Sequence, residues 1–73
     1  MSKVYEITID KYKTIRLILN GKLHSLGDIP AIIWGNGTKF WIQHGKSHRD
    51  GDKPAVIYAD GSKYWFRHGN LIL

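Results

Sequence analysis

Apolar and polar positions along this chain follow a period of two, broken at short intervals by glycine-bearing turns. Val4-Tyr5-Glu6-Ile7-Thr8-Ile9 alternates as a half-buried strand does, and Thr14 to Leu19 reads as a second strand after a turn at Asp10-Lys11-Tyr12-Lys13. Farther on, PAIIW, TKFWIQ, PAVIY and SKYWFR are short runs rich in β-branched and aromatic residues. Pro30 and Pro54 open two of these runs, where a missing N–H costs least. No stretch sustains a 3.6-residue apolar period, so no substantial helix is expected.

The runs belong to a repeat. Residues 20–43, NGKLHSLGDIPAIIWGNGTKFWIQ, align without a gap on residues 44–67, HGKSHRDGDKPAVIYADGSKYWFR. Gly21, Lys22, His24, Gly27, Asp28, Pro30, Ala31, Ile33, Gly37, Lys39 and Trp41 recur as Gly45, Lys46, His48, Gly51, Asp52, Pro54, Ala55, Ile57, Gly61, Lys63 and Trp65. A further copy starts at His68-Gly69, and Thr14–Leu19 aligns with TKFWIQ as the worn end of an earlier one. Self-similarity at this period marks a repeat architecture in which each unit is one supersecondary element. The predicted fold is all-β: a single domain over 1–73, an antiparallel meander of hairpins. It divides into an N-terminal hairpin (1–19), two repeats (20–43 and 44–67) and a truncated strand (68–73).

Turn chemistry predicts the register. Asn36-Gly37 and Asp60-Gly61 suit two-residue type I′ turns, with Asn20-Gly21, His44-Gly45 and His68-Gly69 at the alternate corners. That choice pairs Trp34 with Lys39, Ile33 with Phe40, Ile32 with Trp41 and Ala31 with Ile42. One face then carries Ala31, Ile33, Phe40, Ile42, Ala55, Ile57, Tyr64 and Phe66 and is nearly all apolar. It requires a cover, either residues 4–19 folded back across it or a second copy of the chain. The opposite face carries Trp34, Lys39, Trp41, Gln43, Tyr58, Lys63, Trp65 and Arg67, aromatic rings among cations. It is the candidate partner-binding face, since Trp and Arg are enriched at interaction hot spots.

The string NGKLH…G..PA, a Gly dipeptide turn and then an aromatic strand resembles the MORN repeat and its relatives. HRDGDKPAVIYADGSKYWFRHG is similar to a variant, HR.dGPA with a Trp-bearing strand, of short bacteriophage and large-virus proteins. Ser25-Leu26 departs from it where the second copy has Arg49-Asp50. The resemblance implies successive hairpins extending one sheet, a scaffold for binding, and a viral setting in which the partner is a host protein.

Size and charge narrow the reading further. At 73 residues the chain holds one small core, and domains of this size commonly lean on a metal, a disulfide or a partner. Cysteine is absent, which excludes disulfides and thiolate metal sites and fits a reducing compartment. Met1-Ser2-Lys3 leads straight into an alternating segment, and no apolar run reaches the ~20 residues of a membrane helix, so a cytoplasmic protein is expected. The net charge of +5 admits acidic partners: nucleic acid, an acidic protein face or, least favoured, an anionic membrane.

Candidate chemistry is sparse. His24, His44, His48 and His68 recur because the repeat recurs, and no carboxylate accompanies them at a ligand-like spacing, so no metal or other cofactor is expected. His48-Arg49-Asp50-Gly51-Asp52-Lys53 lacks the alternating acidic pattern of a calcium loop and reads as a solvated turn. Ser25, Ser47 and Ser62 lack a nucleophile-elbow context, and Glu6 is the sole glutamate, so no enzymatic activity is expected. The leading expectation is a protein-interaction module, phage-encoded, that binds and inhibits a host protein, itself a homodimer. The alternative is nucleic-acid binding through Lys39, Trp41, Lys63, Trp65 and Arg67, weakened because Lys3, Lys11, Lys13 and Arg16 lie off that face.

Overall fold

The computed structural model describes residues 4–72; Met1–Lys3 and Leu73, the last residue of the expected terminal strand, lie outside the described residues. In chain order the strands are β1 (Tyr5–Ile9), β2 (Ile15–Leu19), β3 (Lys22–Leu23), β4 (Ile32–Ile33), β5 (Lys39–Phe40), β6 (Ile42–Gln43), β7 (Lys46–Ser47), β8 (Val56–Ile57), β9 (Lys63–Arg67) and β10 (Asn70–Ile72). The main sheet runs β1-β2-β4-β5-β8-β9-β10, with β3 paired on β2 and β6-β7 forming a separate ribbon. Every named pairing is antiparallel, so the fold is an all-β meander of successive hairpins. No helix among the described residues is long and apolar enough to cross a membrane.

Two kinds of turn alternate, and the type I′ geometry expected at Asn36-Gly37 and Asp60-Gly61 lies instead at the alternate corners. At Asn20-Gly21, His44-Gly45 and His68-Gly69 both residues have positive φ (50°/84°, 52°/76° and 51°/85°). These are the two-residue type I′ corners, closed by the pairs Leu19–Lys22, Gln43–Lys46 and Arg67–Asn70. At Asn36-Gly37 only Gly37 has positive φ, 98°. There the Gly37 N–H bonds to the Trp34 carbonyl and the Trp34 N–H to the Thr38 carbonyl, each at 2.8 Å. The connection is therefore a three-residue loop, a type I turn followed by a left-handed glycine bulge. Tyr58 repeats the pattern with Gly61 and Ser62. Asp10 repeats it with Lys13 and Thr14, where Lys13 takes the glycine's place at φ 64°. Asn36 and Asp60 each accept the N–H of the residue two farther on, Thr38 at 3.0 Å and Ser62 at 2.9 Å.

The extra loop residue corrects the register by one. Ile32 pairs with Phe40 and Ile33 with Lys39; Val56 pairs with Tyr64 and Ile57 with Lys63. A one-residue shift sends side chains to opposite faces. Ile33 and Phe40 thus do not share a face, and neither do Trp34 and Lys39. Arg16, Ile32, Phe40, Val56 and Tyr64 lie on one side, and Ile15, Ile33, Lys39, Ile57 and Lys63 on the other.

Residues 4–19 do not fold back across the sheet; β1 and β2 extend it in plane. The core is a line of small clusters: Leu17, Ala31, Ile32, Trp41, Ala55 and Val56 are buried. Leu17, Trp41 and Trp65 occupy one repeat position, but Trp65 is only partly covered. The molecule is a slab of 35 × 31 × 16 Å. Its surface is 5251 Å², against about 4,600 Å² expected for a compact chain of this mass. Consistent with that, no large side chain among the described residues is fully buried.

Candidate functional site

The eight side chains expected to form one mixed face do not share one surface. Trp41 is in the core, 4 % exposed, with the Arg49 guanidinium stacked 3.8 Å from its ring centre. A side chain so covered cannot present itself to a partner, and the reason is the register together with the loop of the following repeat. Lys39 and Lys63 lie on the side of Ile33 and Ile57. Trp65 and Arg67 sit at the C-terminal end, held to their own loop by bonds from the Trp65 indole N–H to the Asp52 carbonyl (3.1 Å) and from Arg67 to the Gly51 carbonyl (3.0 Å). Gln43 is half-buried in the β6-β7 ribbon. Trp34 and Tyr58 remain together on the side of Phe40.

Of the other expected face, Ala31 and Ala55 are buried, and Ile33, Phe40, Ile42, Ile57 and Phe66 are half-buried. Tyr64 is exposed.

The corrected register assembles a different surface. The rings of Trp34, Phe40, Tyr58 and Tyr64 form a continuous rib across both repeats. Successive ring centres are 6.3, 6.2 and 5.6 Å apart, with interplanar angles of 81°, 84° and 82°. Edge-to-face contact at these distances is the favoured geometry for aromatic quadrupoles. The Arg16 guanidinium lies 5.9 Å from the Trp34 ring centre, so a cation caps one end of the rib. Beside it lies an open trough of about 870 Å³ between Tyr12, Thr14, Arg16, Trp34, Thr38, Phe40 and Tyr58.

Strand and loop geometry hold these groups. Trp34 and Tyr58 stand immediately before the three-residue loops, where their N–H and carbonyl are both engaged. Thr38, buried between the repeats, accepts the Ala59 N–H on its hydroxyl at 3.1 Å and so locks one loop to the next. Asp10 closes the N-terminal loop by accepting the N–H groups of Tyr12 (2.9 Å) and Thr14 (3.0 Å), and it pairs with Arg16 at 3.1 Å. The Thr14 N–H, then the Arg16 guanidinium, hold its carboxyl below the usual carboxylate range. Arg16, fixed by Asp10 on one side, holds its guanidinium over the Trp34 ring.

Comparison with known proteins finds no matching family model, no matching curated protein and no matching solved structure. The site therefore rests on its own geometry.

The histidines form two ring pairs, and His48 also meets the Asp50 carboxylate. His24 contacts His44 edge-on at 5.3 Å and His48 lies 4.4 Å from His68. His48 is buried: its Nδ1 accepts the His68 N–H at 3.0 Å, which leaves Nε2 to donate to Asp50 at 2.9 Å. These contacts tie one corner turn to the loop before it. No group of three or more potential metal ligands occurs among the described residues. Sequence reasoning missed Arg16, Thr14, Phe40 and Tyr64 as members of the surface. The alignment of Thr14 with Thr38 was the available signal, since it places residues 10–16 in the same loop-and-strand frame as 34–40.

Proposed function

We propose that this chain is a binding module for another protein, with the rib of Trp34, Phe40, Tyr58 and Tyr64 as its docking surface. The observation that carries this reading is the continuity of the rib: rings from both repeats, three of them exposed, make one apolar ridge beside an open trough. Rigid aromatic groups lose little entropy on binding and dominate hot spots. The surface excess of the slab favours the same reading. The resemblance to short phage and large-virus proteins supplies a context in which the partner is a host protein and its inhibition the outcome. Nucleic-acid binding is less well supported, because Trp41 is buried and Lys39 and Lys63 lie on the side of the sheet away from the aromatic rib.

Affinity capture from nuclease-treated lysate, followed by titration of the recovered partner against the Trp34→Ala/Tyr58→Ala variant, tests this. A hot-spot pair lost from the rib weakens binding at least about thirtyfold while the melting temperature moves little. Full partner affinity in a folded double variant refutes the rib as the docking surface. Sedimentation velocity at micromolar concentration shows whether that partner is a second copy of the chain.

A further inference from the structure

The first repeat carries a cation site that the second repeat of this chain fills. Arg49 lays its guanidinium 3.8 Å from the Trp41 ring centre and donates to Asp28 at 3.1 Å. Lys53 reaches the same carboxylate at 2.9 Å. Hydrogen bonds from Lys53 and then Arg49 hold the Asp28 carboxyl below the usual carboxylate range. An indole face and a carboxylate together thus receive a guanidinium and an ammonium from the repeat that follows, a charge-assisted and cation–π pairing.

The second repeat presents the same two receptors at its own outer side. Trp65 stands at the position of Trp41 and Asp52 at that of Asp28. Trp65 is 38 % exposed where Trp41 is 4 %. Among the described residues no cation pairs with Asp52, and no guanidinium or ammonium stacks on Trp65. The nearby Arg67 is bound to the Gly51 carbonyl. Among the described residues the strand pairing differs as well: Lys39 and Phe40 pair on both sides, with β4 and β8, whereas Lys63 and Tyr64 pair with β8 alone.

We propose, independently of the rib, that this end of the sheet binds an extended segment of another protein that carries an arginine, seated on Trp65 and Asp52, and a lysine four residues later on the same carboxylate. The segment adds as a strand beside Lys63 and Tyr64, the mode in which β8 joins β5. Charge decides the occupant: an indole face and a free carboxylate select a cation. A second copy is a poor source, since its Arg49 and Lys53 are held by its own Asp28 and its outermost strand, β1, reads YEITI.

The test uses the 73-residue chain and, as probe, a synthetic peptide of the sequence SHRDGDKPAVI, which keeps the arginine–lysine spacing of residues 49 and 53. Binding is followed by NMR through the Trp65 indole N–H, assigned by its loss in Trp65→Phe. The expected result is saturable binding that moves the Trp65 indole and leaves that of Trp34 in place. It weakens about tenfold in Asp52→Asn, and as much when the peptide's arginine and lysine are both alanine. Asp52 is exposed, so the Asp52→Asn chain keeps its fold, which circular dichroism verifies. Trp34→Ala/Tyr58→Ala leaves peptide binding unchanged, which separates this site from the rib. Absence of saturable binding, or equal affinity in wild type and Asp52→Asn, overturns the proposal. Self-association that disappears in Asp52→Asn overturns the assignment to a foreign segment and makes a second copy the occupant.

Discussion

Trp41 and Trp65 are the same residue in the same repeat position, and they live in different surroundings. The first is roofed by Arg49 and flanked by β8; the second leans on its own loop through one hydrogen bond and faces outward. The difference lies in what comes next along the chain, not in either repeat itself. A hairpin of this kind cannot bury its own tryptophan. It buries that of the hairpin before it, so stability is a property of each junction between units.

Unequal responses to equal substitutions would sharpen that comparison. Trp41→Ala removes a buried ring from the junction and strands the Arg49 guanidinium; a loss of about 3–5 kcal/mol is expected in urea unfolding. Trp65→Ala removes a ring already part-way in water, and about 1–2 kcal/mol is expected. Equal losses would break the junction account.

The loops give the next contrast. Gly35 and Ala59 are equivalent, yet a Cβ at Gly35 would run into the Tyr12 carbonyl oxygen, because the N-terminal loop crowds the first repeat there. Gly35→Ala is expected to cost about 1–3 kcal/mol as the two loops are pushed apart. Ala59→Gly is expected to cost only about 0.4–1 kcal/mol, through the added freedom of the unfolded chain. Thermal unfolding of the two variants side by side reads the difference.

The smallest effect has the opposite sign. Lys13 occupies the bulge position that Gly37 and Gly61 fill in the later loops, at φ 64° against 98° and 93°. A left-handed conformation costs a side-chain-bearing residue about 1–2 kcal/mol, part of which glycine returns as unfolded-state entropy. Lys13→Gly should therefore stabilise the chain by about 0.5–1 kcal/mol, seen as a raised denaturation midpoint with unchanged slope.

Much of the architecture was legible in the sequence because the repeat is nearly undamaged: strand order, hairpin succession and lack of helix all follow from its period. The register was not. Asn-Gly and Asp-Gly serve both a two-residue I′ turn and the glycine bulge of a three-residue loop, and they favour each for the same reason, tolerance of unusual φ. The three-residue loop at Asn36-Gly37 lets the Asn36 side chain take the Thr38 N–H, and Asp60 does likewise for Ser62. A small hydroxyl residue directly after the glycine, Thr38 or Ser62, was the distinguishing sign, since the two-residue corners carry Lys22, Lys46 and Asn70 there. The one-residue difference then displaced the candidate surface, separating Trp34 from Lys39 and joining it to Phe40 and Arg16. The burial of Trp41 was hidden for another reason: its cover, Arg49, is a charged residue that sequence patterning assigns to solvent, and only the stacked guanidinium reveals its apolar use.

The short corner turns have a consequence for how the molecule comes into being. Each strand finds its partner across two or three intervening residues or within the following hairpin, so closing any contact costs little chain entropy. Topologies of such low contact order assemble fast, well ahead of sandwiches that wait for distant strands. A nascent chain can lay down β1 against β2 and then add each hairpin as it emerges from the ribosome, with the growing edge serving as the template for the next.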